Sequence, residues 1–113
     1  MQLRNLSRSN QVLVEELQVA DTMWKRLRGL LGRKQLEENE GMIIVPCNAV
    51  HTIGMAFALD LLFLARDGTV LQLEQDVRPW RMRFCLKAHA VVELPAGVLQ
   101  HLPCQIGEQV VWS

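Results

Sequence analysis

The stretch Leu59-Asp60-Leu61-Leu62-Phe63-Leu64-Ala65-Arg66-Asp67-Gly68-Thr69-Val70-Leu71-Gln72-Leu73 contains two apolar runs separated by a short polar break. Asp-Gly favours the positive backbone dihedrals of a tight reversing turn, so Leu59 to Ala65 and Thr69 to Leu73 are predicted to form a β-hairpin. The first run does not alternate apolar with polar, which is the pattern of a strand covered on both faces. Its single carboxylate, Asp60, is therefore expected to be partnered by His51, Arg81, a backbone N–H group or water in a pocket. Glu93, between Val92 and Leu94, poses the same problem.

Working outward, Gln11 to Val19 reads as an early strand, Met42 to Val45 as a buried strand closed by Pro46, Ala88 to Leu94 as another, and Gln109 to Trp112 as the last. One helix is expected in the N-terminal half. Asp21 or Thr22 caps it, Met23, Leu27, Leu30 and Leu31 follow helical spacing, and Gly32 stops it. Pro95-Ala96-Gly97 opens a short turn or helix that Pro103 ends. Many short strands with one real helix predict a mainly β (α+β) fold, a compact β-sandwich or partly closed barrel. With no repeat and no linker, residues 1–113 are expected to form a single domain.

The chain has 113 residues, half of them hydrophobic, and twelve basic residues balance twelve acidic ones. That composition excludes disorder and any nucleic-acid or membrane partnership driven by bulk charge. Arg78, Arg81 and Arg83 around Trp80 offer at most weak, non-specific contact with nucleic acid. No apolar segment is long enough to span a bilayer or to serve as a secretory signal, and three cysteines suit a reducing compartment, so a cytoplasmic location is expected.

Each histidine has a cysteine nearby: Cys47 and His51, Cys85 and His89, His101 and Cys104. Residues four apart on a strand are roughly 13 Å from each other, too far to share one ion, so no metal site and no cofactor is expected. Cys47, His51 and Asp60 supply the residue types of a nucleophile, a base and an orienting carboxylate. That makes an enzyme of unknown reaction one alternative.

His51-Thr52-Ile53-Gly54-Met55, Leu59 to Leu64 and Asp67-Gly68 resemble the prokaryotic family labelled domain of unknown function 192. So do Asp21-Thr22 with Arg26 to Leu31, Gly41-Met42, Pro79-Trp80-Arg81, Val92 to Gly97 and Ile106-Gly107-Glu108, all in the family's order from Val12 onward. The resemblance implies a jelly-roll-like or sandwich fold and brings no established activity. Many such proteins are exported and some are encoded beside pilus assembly genes, which implies an interaction module of pilus or envelope assembly as another alternative. The recurring polar positions correspond to His51, Thr52, Asp60 and Glu93, and Cys47 fits one subgroup.

The leading expectation is a non-enzymatic binding or accessory domain for a small molecule or protein. Its pocket is expected around His51, Thr52, Met55 and Asp60, with Trp24, Trp80 and Arg81 at the rim.

Overall fold

In the computed structural model, which describes all residues Met1–Ser113, ten strands form in chain order. They are β1 (Leu3–Asn5), β2 (Gln11–Val14), β3 (Glu16–Ala20), β4 (Glu40–Ile44), β5 (Ala49–His51), β6 (Leu59–Leu64), β7 (Val70–Val77), β8 (Met82–Phe84), β9 (Ala90–Pro95) and β10 (Val110–Trp112). A single α-helix, α1, spans Met23–Arg28, and 3-10 turns cover Leu6–Arg8 and Val98–Gln100.

The strands build a five-stranded sheet in the order β3-β4-β9-β6-β7, a three-stranded sheet β10-β1-β2 and a two-stranded ribbon β5-β8. Pairing is antiparallel except between β3 and β4, and no sheet closes into a barrel. The five-stranded sheet is covered on both sides, which explains the unbroken apolar run of β6. On one side, Leu62, Leu64, Val92 and Leu94 pack with Leu3, Val14 and Val110 of the three-stranded sheet. On the other, Leu59, Leu61, Phe63 and Val91 pack with Leu30 and with Val50 of the ribbon. The radius of gyration, 12.6 Å, is that of one compact unit of this length. Gln2 and Ser113 exchange two backbone hydrogen bonds, at 2.8 and 3.1 Å, on the side of the three-stranded sheet.

The hairpin forms as β6 and β7, but only Gly68 of the Asp67-Gly68 pair takes a positive φ. The turn is larger than two residues: Gly68 donates to the Ala65 carbonyl, Ala65 donates to that of Thr69, and the Asp67 carboxylate accepts the Thr69 N–H. Gln11 to Val19 is not one strand. The chain leaves β2 at Glu15 and joins a different sheet as β3, a change of partner that periodicity does not signal.

The helix starts as expected, with Thr22 Oγ1 accepting the Lys25 N–H at 3.1 Å. It ends at Gly29 rather than Gly32, because Gly29 takes a φ of +49°. Of its four expected core residues only Leu30, just past that turn, is buried. Met23 and Leu27 are about 70% exposed and Leu31 is 38% exposed, so the apolar spacing marks an outward face rather than a core face.

Candidate functional site

Asp60 is fully buried and fully employed. Its Oδ1 accepts the Asp76 N–H at 2.8 Å, and its Oδ2 accepts the N–H groups of Gly97 and Leu99 at 3.0 and 2.9 Å. The carboxylate thus ties the end of β7 and the Val98–Gln100 turn to β6. This corrects the expected pocket around His51 and Asp60. Neither acceptor oxygen of Asp60 is left unmet, and His51 is exposed on the ribbon.

Thr52 is buried as well. Its hydroxyl donates to the Arg78 carbonyl at 2.7 Å and accepts the Arg81 N–H at 2.8 Å, while its carbonyl accepts the Trp80 N–H. The Thr52 contacts fix the Arg78–Arg81 loop, in which Trp80 has a φ of +66°. Trp80 and Arg81 project from that loop into solvent, and Trp24 is 70% exposed on α1. None of Trp24, Trp80, Arg81, Thr52 or Asp60 lines the cavity that the remaining expected residues share.

That cavity is a cleft of about 330 Å³ between α1 and the stretch from β4 to β5. Cys47, His51, Met55 and Glu93 all line it, so four of the expected site residues converge. Its walls also include Arg26 and Gly29, and Met23, Leu27 and Leu31, which helical spacing assigned to the core. Pro46, joined to Val45 by a cis peptide bond, turns the chain from β4 toward Cys47. Arg26 reaches across and donates to the Pro46 carbonyl at 3.2 Å, holding its guanidinium at the cleft.

Glu93 sits deepest. It projects from β9 between Met42 of β4 and Leu61 of β6, and its Oε1 is buried with no hydrogen-bond partner. The Gly29 position lies over this oxygen, since a Cβ there would be 4.0 Å from it. Burial pushes the Glu93 carboxyl up to about 7, so near neutral pH it is close to half protonated. Cys47 is half-buried, its thiol donates to the Ala49 carbonyl at 3.1 Å, and burial raises its pKa. A thiol held in that form is a weak nucleophile. With Asp60 committed on the far face of the sheet, Cys47, His51 and Asp60 do not assemble into a catalytic group.

The other cysteine and histidine pairs stay on separate segments, and no three His, Cys, Asp or Glu side chains converge in a geometry for a metal ion. Nor is any helix long and apolar enough to cross a membrane.

The profile of DUF192, described as an uncharacterised ACR family, matches residues 4–112. A UPF0127 protein of Thermococcus sibiricus is 30% identical over 105 residues, covering 86% of this chain, which spans 66% of that relative, just under two thirds. A UPF0127 protein of Pyrococcus furiosus is 27% identical, with 96% of each chain covered. Among solved structures, a protein of unknown function from Novosphingobium aromaticivorans superposes with a TM-score of 0.84 at 22% identity, covering 99% of this chain and 84% of that one. A Sinorhizobium meliloti protein, described as a candidate transcription regulator, gives 0.83 at 22% identity, covering 97% and 91%. These two share the fold.

Proposed function

This chain belongs to the DUF192 family, whose activity is uncharacterised, and from that premise we propose that it is a small-molecule-binding domain whose ligand occupies the cleft between α1 and β5. One observation carries the reading: Glu93 Oε1, buried at the cleft floor without a partner. An unmet buried acceptor costs about 1–3 kcal/mol, a cost that a bound donor removes. The apolar walls and the volume are those of a site for a small organic molecule. The three unpaired cysteines support a reducing, cytoplasmic setting.

The test is a fragment screen by two-dimensional NMR on the whole chain. Binders should shift the amides of Gly29, Leu30, Cys47 and Glu93 together. A screen whose binders cluster elsewhere, or that yields none, overturns the proposal.

A second reading, docking of a protein on the outer face of α1, is favoured by the exposure of Trp24, 70%, outside the cleft. Trp24→Ala separates the two, because Trp24 does not line the cleft: ligand binding should survive it and protein docking should not.

A further inference from the structure

We infer, on the ligand-binding reading above, that the ligand is a small zwitterion with an apolar body, its ammonium donating to Glu93 on the cleft floor and its anionic group meeting Arg26 at the mouth. The charges of the lining dictate this pairing. Glu93 is the sole acidic side chain of the cleft, while Arg26 and Arg28 both border it. A simple amine would gain the floor carboxylate but leave two guanidinium groups unmatched. A simple carboxylate would gain the arginines but place its apolar end against the unpartnered Oε1, leaving that acceptor unmet.

A molecule carrying both charges answers both ends. Arg26 commits one N–H to the Pro46 carbonyl, so its fork is held in place while further donors remain for an oxyanion. Beside the two charged groups the walls include Met23, Leu27, Leu31 and Met55, two unbranched thioethers and two leucines that accept varied apolar side chains branching from the carbon that carries both charges. The other titratable groups facing the cleft, Cys47 and His51, supply no second negative charge while the thiol stays protonated. The chemical class is therefore that of an apolar α-amino acid or a molecule of the same plan.

The test uses L-leucine, L-phenylalanine and L-methionine as zwitterions. Against them stand 3-methylbutylamine, 4-methylpentanoate and 3-methylbutanol, which keep the leucine body with one charge or none. Binding is followed by calorimetry and by the amides of Gly29, Leu30 and Glu93. At least one amino acid should bind at least tenfold more tightly than the amine, acid and alcohol of its own body, which for leucine are the three compounds above and for phenylalanine and methionine their counterparts. Glu93→Gln should weaken it tenfold or more, and Arg26→Gln should do the same while leaving the floor intact. Thermal melts confirm that each variant is folded, and the Arg26 variant keeps the test decisive if Glu93→Gln is not.

The zwitterion assignment is overturned if the amine, the acid or the alcohol matches the amino acid, or if both variants bind it unchanged. It is also overturned if fragments of other chemistry occupy the cleft while no amino acid does, an outcome that leaves the ligand-binding reading standing. Failure of every compound to shift the cleft amides overturns both.

Discussion

Asp60 and Glu93 stand one residue out of register on the paired strands β6 and β9, with Asp60 opposite Leu94 and Leu61 opposite Glu93, and so point to opposite faces of one sheet. Asp60 has three backbone donors; Glu93 has a buried oxygen with none. Two carboxylates that look alike in the sequence thus divide the work, one joining segments of the fold and the other facing the cleft.

Asp60→Asn replaces one acceptor oxygen with an amide that turns donors toward donors. Loss of the charge-assisted bonds should destabilise the protein by about 3 kcal/mol or more in denaturant melts. The ring resonances of His51 should not move. A shift of those resonances would mean the two side chains communicate after all.

Glu93 gives stability a pH dependence of unusual sign for a carboxylate. Its folded pKa, about 7, lies above the ordinary 4.5, so between these values the native state holds the proton that the unfolded chain has released. Stability should therefore fall as pH rises through that window, by an amount on the order of 3 kcal/mol when complete. Glu93→Gln should flatten this part of the profile and be the more stable protein above pH 7.5 or so. Equal profiles for the two proteins would contradict it.

Thr52→Val keeps the shape of a buried side chain and removes the hydroxyl that accepts from Arg81 and donates to Arg78. A loss of about 1–3 kcal/mol is expected, with faster amide exchange at Arg81. Exchange at Leu62, in the middle of β6, should change only as far as global stability does.

Gly68→Ala meets two obstacles at once. The φ of +89° strains any side chain, and the new methyl would overlap the Val110 carbonyl oxygen, whose strand lies directly over the turn. A cost of about 3 kcal/mol or more in melting experiments is expected.

Nucleic acid should bind weakly, with strong salt dependence and no sequence preference. Arg83 is already paired with Glu74 at 3.0 Å and Arg78 with Asp76 at 3.5 Å, leaving Arg81 and Lys87 as the free cations of that region. Submicromolar, sequence-dependent binding at physiological salt would overturn this expectation.

The hairpin, the buried strands and the N-cap at Thr22 were legible in the sequence because each has a local cause: a glycine at a turn, an unbroken apolar run, a hydroxyl three residues before its donor. The partner of Asp60 was not. Backbone N–H groups appear identically at every residue, so nothing in the string distinguishes Gly97 and Leu99, nearly forty positions away, from His51, nine positions away. The cleft was half visible. Of its polar members, Cys47, His51 and Glu93 stood out by type while Arg26 and Arg28 passed as ordinary cations of the last helical turn, and Met23 and Leu27 were hidden by their own helical spacing, since an apolar stripe looks the same whether it meets a core or a ligand. The short strands β1, β5 and β8 escaped because three residues carry too little pattern, whereas β10, equally short, was marked by the Ile106-Gly107-Glu108 turn that leads into it.

The two hydrogen bonds between Gln2 and Ser113 make both ends of the chain a single handle. That handle belongs to the layer on the Asp60 side of the five-stranded sheet, whereas the cleft opens on the Glu93 side. A reporter, a surface tether or a neighbouring domain attached at either end would hold the molecule from behind, with the mouth of the cleft turned outward. For sensor construction, N-terminal and C-terminal fusions are therefore equivalent in geometry, and neither has to be threaded past the site.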